Sequence, residues 1–120
     1  MFCCAATCRT LLQHGALSEQ VLIYSGQNDI ILGAPLTEQF LYGPTLAAWS
    51  RHDDFIAAAK KVWYVGVPSS GGAVPDLAGY VKNVGNVTYA VVRGAGHMVP
   101  GDQPSRAKDL IDRFITGTPF

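Results

Sequence analysis

Val91-Val92-Arg93-Gly94-Ala95-Gly96-His97-Met98-Val99-Pro100 closes a β-prone run and opens onto a helix. The run from Val87 to Val92 stops at Gly94 and Gly96, whose backbones can enter turn conformations closed to other residues. His97 is therefore expected on a tight loop at a strand end. An imidazole in that place stands at the rim of a sheet, where it can be reached.

After this stretch comes the most strongly patterned segment of the chain, a helix beginning at about Gln103. Ala107, Leu110, Ile111, Phe114 and Ile115 recur at i, i+3, i+4, i+7 and i+8, which draws one apolar stripe. Pro104 suits the first turn, Gly117 the C-terminal stop, and Pro119 lies beyond. On the N-terminal side, Ala78 to Val84 and Val87 to Arg93 flank Gly85-Asn86, a two-residue hairpin signal that predicts two antiparallel strands.

Farther upstream, Val21-Leu22-Ile23-Tyr24 is a short apolar run that ends in Ser25-Gly26. It reads as a buried parallel strand opening into a turn, with Gln27-Asn28-Asp29 just past its end. Pro35 to Tyr42 reads as a short helix stopped by Gly43-Pro44. Thr45 to Arg51, with Trp49, is ambiguous. Asp53 to Lys61 reads as a helix with acids first and lysines last, and Val62 to Val67 as a strand. Pro68-Ser69-Ser70-Gly71-Gly72 is a loop. Arg9 to Gln20 suggests a short helix ending near Gly15. The two tryptophans and the tyrosines are read as core or pocket wall, and Arg93 as a solvated charge.

Strand, helix, strand, hairpin and helix make a layered α/β arrangement. A continuous apolar strand such as Val21 to Tyr24 wants neighbours on both edges and cover on both faces. Few other strands here could supply them, so the chain is expected to be part of a larger sheet.

The 120 residues fit one domain. Nine basic and nine acidic side chains balance to zero net charge, with no basic stripe. That argues against nucleic-acid or membrane binding through charge. No apolar run approaches the roughly 20 residues of a membrane span. The three cysteines, Cys3, Cys4 and Cys8, crowd the N-terminus, so no disulfide can staple the body of the domain to itself. The first eight residues lack the basic start and long apolar core of a secretory signal. A metal or redox module built on these cysteines is the weakest alternative, since it would need ligands elsewhere.

Asp29 and His97 both follow strand ends, and functional groups collect at the carboxyl ends of open α/β sheets. Asp before His is the second half of the Ser–Asp–His chain order of α/β-hydrolases. In that chemistry the carboxylate orients the imidazole and stabilises its cation, while the imidazole shuttles the nucleophile's proton. On residue type alone, a turn-forming Asp and a structural or surface His remain open readings.

Tyr24-Ser25-Gly26-Gln27-Asn28-Asp29-Ile30-Ile31 and Gly94-Ala95-Gly96-His97-Met98-Val99-Pro100-Gly101-Asp102-Gln103-Pro104 resemble the two C-terminal motifs of the serine carboxypeptidases, nearest to their vitellogenic-like branch. The resemblance covers roughly Leu11 to Ile115. Leu36-Thr37-Glu38, Trp49, Ala78-Gly79-Tyr80 and Asn86-Val87-Thr88-Tyr89 fit as well. It implies the C-terminal portion of an α/β-hydrolase fold over residues 11–120, preceded by a non-matching, disordered segment over residues 1–10. It implies Asp29 as triad acid, His97 as triad base, Met98 as a wall of the pocket for the departing residue, and no cofactor. Leu32 stands where some members carry cysteine, so the thiol-reagent sensitivity of those members is not expected.

The family's nucleophile sits in a Gly-Glu-Ser-Tyr-Gly-Gly-type elbow, and no such segment occurs in these residues. Ser25 belongs to the aspartate motif, and Ser69-Ser70 lacks a strand–turn–helix setting. The family's oxyanion hole and its grip on the substrate's terminal carboxylate also lie upstream. Without a nucleophile the Asp–His pair has nothing to activate. The resemblance thus implies a serine-type carboxypeptidase acting on peptides, present as a C-terminal fragment that is inactive alone. The alternative is a non-catalytic piece that needs a complementary chain, such as the missing N-terminal part of the same enzyme. Neither nucleic acid nor membrane is expected as a partner. The parent is expected in the secretory pathway, lysosomal, vacuolar or extracellular, with no signal peptide in this chain. Asn86-Val87-Thr88 is a glycosylation sequon on the hairpin turn.

Overall fold

A computed structural model describes residues 20–66 and 75–120. The helix expected before Gln20, the Pro68 to Gly72 loop and all three cysteines lie outside the described residues. Strand β1 is Val21–Gly26, helix α1 Ala34–Tyr42, a 3-10 turn Pro44–Leu46, and helix α2 His52–Ala57. Strands β2 (Lys61–Val65), β3 (Asp76–Val84) and β4 (Val87–Val92) follow, then a one-turn helix α3 (Val99–Asp102) and the long helix α4 (Pro104–Thr116).

The four strands form one mixed sheet in the order β1-β4-β3-β2. β3 and β4 are the expected hairpin, paired from Val84↔Val87 to Gly79↔Val92 around Gly85-Asn86. β1 joins β4 in parallel, Val21↔Val87 through Gly26↔Val92. The two strands therefore end side by side at the same rim. β2 runs antiparallel to β3, with an irregularity between Trp63 and Tyr64.

Every residue of β4 is buried because the strand is central and covered on both faces. On one face Val87, Tyr89 and Val91 meet Leu41 of α1, Leu46 of the 3-10 turn, Trp49 of the connection after it and Phe55 of α2. On the other, Ala90 and Val92 pack with Trp63, Val81, Val99, Ala107 and Leu110 under α4. Both tryptophans are core, as expected: Trp49 is 5% exposed and Trp63 is fully buried. The Trp63 indole N–H donates to Asp109 Oδ2 at 2.8 Å, which ties β2 to α4.

Three expectations change in detail. The helix foreseen from Asp53 to Lys61 ends at Ala57, because Ala58 turns extended. Lys60 instead reaches Glu38 on α1 at 2.5 Å, and Lys61 opens β2 opposite Val81. Val21 to Tyr24 is parallel as expected but only half-buried, because no strand of the described residues pairs with its outer edge. The stripe on α4 is only partly covered. Ala107 and Leu110 are buried, while Ile111 and Ile115 are 40% and 73% exposed. At 100° per residue these two isoleucines lie on the flank turned away from Asp109, and hence away from β2. Among the described residues, nothing covers this flank of the helix and no strand pairs with the outer edge of β1.

Candidate active site

Parallel pairing of β1 with β4 delivers two loops to one rim, and the contact between them is close. Gln27 N–H donates to Val92 O at 2.9 Å and Asn28 N–H to Ala95 O at 2.8 Å. Gly26 makes this approach possible: a Cβ there would stand 2.1 Å from Gly96 O and 2.5 Å from Ala95 O. Any larger residue would hold the loops apart. Gly94, at φ +70°, turns the chain out of β4 in a conformation that L side chains rarely adopt.

Across this junction His97 Nδ1 lies 2.9 Å from Asp29 Oδ2. The acid is enclosed, its side chain 5% exposed, and the ring is open to solvent at 39%. The other oxygen, Oδ1, accepts the amides of Ile31 at 2.8 Å and Leu32 at 3.1 Å. One carboxylate therefore serves both readings that the sequence left open: it forms a turn and it holds a histidine.

The hydrogen bond from His97 holds the Asp29 carboxyl below the usual carboxylate range. Burial opposes this shift, and the two backbone amides add to it. An ionised Asp29 can only accept, so Nδ1 carries the proton, and in the neutral ring the lone pair resides on Nε2. An imidazole fixed in that tautomer is suited to take a proton from a hydroxyl and then return it to a leaving group.

The surroundings are built to keep this geometry. α1, which follows the aspartate turn, is held to the sheet by Ser25 and Thr37, whose hydroxyls are 2.9 Å apart. Tyr89 donates to Glu38 Oε1 at 3.3 Å beneath the helix, and burial with the nearby Glu38 pushes its phenol far above the ordinary range. Ser25 is 7% exposed and engaged in this packing. On the other side, Asp102, Gln103 and Arg106 reach back to the histidine loop. Residue patterning missed these three, whose role becomes visible only when α3 and α4 fold back. By contrast, His52 is buried with Nε2 3.1 Å from Leu41 O, a structural position.

Exposed apolar side chains surround the pair on the aspartate side: Ile30, Ile31, Leu32 and Leu36, with Met98 beside the histidine at 63% exposed. Asn86 lies at the hairpin turn, half-buried, at the other end of β4. Among the described residues no group of three or more His, Cys, Asp or Glu could hold a metal ion, and no helix is long and apolar enough to cross a membrane.

Comparison with known proteins bears on the family and the fold. The chain is 47% identical over 101 residues to the venom serine carboxypeptidase of Apis mellifera, which covers 84% of the chain and 19% of that protein. It is 43% identical over 98 residues to the human probable serine carboxypeptidase CPVL, covering 82% of the chain and 19% of the relative. It therefore spans about a fifth of the length of such relatives. Among solved structures, KEX1(delta)p, a prohormone-processing carboxypeptidase from Saccharomyces cerevisiae, superposes with a TM-score of 0.69. That match has 21% identity and covers 94% of the chain and 22% of the yeast protein. The fold is thus that of part of an α/β hydrolase. The serine carboxypeptidase family model matches residues 5–117, nearly the whole sequence, and the chain belongs to that family.

Proposed function

We propose that this chain supplies the acid–base half of a serine-type carboxypeptidase site, with Asp29 as the orienting acid and His97 as the base. The observation that carries the reading is the 2.9 Å contact between Asp29 and His97 at the rim where β1 and β4 end together. The nucleophilic serine, the oxyanion hole and the carboxylate-binding groups come from a segment outside these residues, so the chain alone does not hydrolyse peptides. The half-covered β1, whose outer edge no strand of the described residues pairs, and the exposed Ile111 and Ile115 support this reading as surface such a segment would cover.

In the completed site, His97 Nε2 takes the proton from the serine hydroxyl as its oxygen attacks the last peptide carbonyl of the substrate. The C–N bond then breaks, and His97 returns the proton to the amine of the departing C-terminal residue. Water, deprotonated by the same nitrogen, cleaves the acyl-enzyme ester and regenerates the serine. Met98 lines the pocket of the departing residue. No cofactor enters these steps. Nor are nucleic acid or a membrane partners in this reading.

The test adds an upstream family segment bearing the serine elbow to the chain and follows release of a C-terminal amino acid from an N-blocked peptide. Release is expected with the mixture and not with either piece alone. A complex that forms yet releases nothing would remove the proposal. The parent belongs to the secretory pathway in this reading, with the half-buried Asn86 on its hairpin turn as a glycan acceptor. After expression through a eukaryotic secretory route, an endoglycosidase should lower the mass of the chain, and should leave Asn86→Gln unchanged. An unaltered mass in both would refute the glycan.

A further inference from the structure

The loop that presents His97 contains two glycines within three residues and has little conformational preference of its own. Side chains from the helical segment that follows restrain three of its backbone groups. Arg106 donates to Arg93 O while its guanidinium also grips Asp76, with Nη2 2.9 Å from Oδ1. Gln103 Nε2 donates to Gly94 O at 3.1 Å. Gly96 N–H donates to Asp102 Oδ2 at 2.7 Å.

The last of these bonds differs from the other two. The peptide between Ala95 and Gly96 is gripped from both sides. Its carbonyl accepts Asn28 N–H from the aspartate loop, and its N–H meets the Asp102 carboxylate. Asp102 is itself placed by α3, where its own amide donates to Met98 O at 3.0 Å. The bond closes a ring across residues 96–102, and His97 lies inside that ring. A carboxylate accepting an amide is a strong acceptor, and one attached to the peptide next to the histidine limits where the imidazole can point.

We infer that Asp102 is a positioning residue for His97: by accepting the Gly96 amide proton it fixes the ring where Nδ1 reaches Asp29. This deepens the carboxypeptidase reading of the same site. The test reads ring geometry rather than hydrolysis, so it can fail while the activity proposal stands, and the reverse.

The experiment uses the full chain with nitrogen-15 histidine and follows the His97 Nδ1–H resonance and its exchange with water. In Asp102→Ala the resonance should exchange at least about tenfold faster. The Asp29 titration should also rise toward the ordinary value of about 3.9. In Asp102→Asn, which keeps an acceptor oxygen, both readouts should stay close to those of the parent. A folded Asp102→Ala chain with unchanged resonance and Asp29 titration would overturn the assignment. So would equal loss in both variants, because asparagine retains the acceptor. Should Asp102→Ala fail to fold, exchange of the Gly96 amide in the unmodified chain decides: protection supports the inference and free exchange overturns it.

Discussion

Replacing Gly26 by alanine perturbs the junction between the two loops without touching either Asp29 or His97. The added Cβ would begin 2.1 Å from Gly96 O, so that carbonyl must retreat past 3.0 Å, the floor for real Cβ contacts. The obstructing atoms are backbone, so no side chain can rotate to make room. Gly26 is not among the positive-φ glycines, so alanine brings no dihedral strain and gains about 0.4–1 kcal/mol by restricting the unfolded chain. Overpacking costs about 1–3 kcal/mol, which leaves a net loss on the order of 1–2 kcal/mol. At about 2–8 °C per kcal/mol for domains of roughly 60–250 residues, the melting temperature should fall by several degrees. Thermal unfolding followed by circular dichroism measures this. The His97 Nδ1–H resonance should weaken in the same variant, because a 2.9 Å bond does not survive a shift of this size. A chain with Gly26→Ala that melts at or above the parent temperature with the resonance intact would show that the loops are not in this contact.

Three further outcomes follow from other parts of the fold. Asp29 has a folded-state pKa below its unfolded value, so the contribution of its bond to stability is fully present above about pH 4 and is lost as pH falls through the folded value. Urea unfolding between pH 6 and 2 should show that loss, and Asp29→Asn should remove it; identical pH profiles would contradict the ionised Asp29 carboxylate. Lys82 is 4% exposed, and its ammonium donates to Phe55 O at 2.8 Å while lying 4.8 Å from the Tyr42 ring centre. Lys82→Met, which keeps the apolar stem, should destabilise by about 1–3 kcal/mol through the carbonyl left without its donor; a more stable variant in denaturant titration would contradict the capping role. Trp63→Ala should lose about 3–5 kcal/mol, since the ring is fully buried and bridges β2 to α4, and a loss below about 1 kcal/mol would contradict that placement.

The sequence carried the hairpin, the parallel character of β1 and the long C-terminal helix because each rests on local chemistry. Gly85-Asn86 makes a turn wherever two β-prone runs flank it, and Pro104 with Gly117 bounds a helix from within. Asp29 and His97 were legible through two motifs in order, each just past a strand. What escaped was settled by contacts between distant segments. Lys60 and Lys61 look like a helix end by charge, yet Glu38 on α1 draws Lys60 away and Val81 pairs with Lys61. The bracing of the histidine loop by Asp102, Gln103 and Arg106 depends on α4 lying back over the sheet. The periodicity of Ile111 and Ile115 marks an apolar flank, but not that the described sheet stops short of covering it.

The central claim is that His97, oriented by Asp29, becomes the base of a carboxypeptidase when a serine is brought to it. The most direct measurement is the release of the C-terminal residue from an N-blocked peptide by the chain mixed with an upstream elbow-bearing segment, run beside the same mixture carrying His97→Ala. The account predicts release by the first mixture and a loss of at least about a thousandfold in the second, as for removal of a triad member. Equal release by the two mixtures would contradict it.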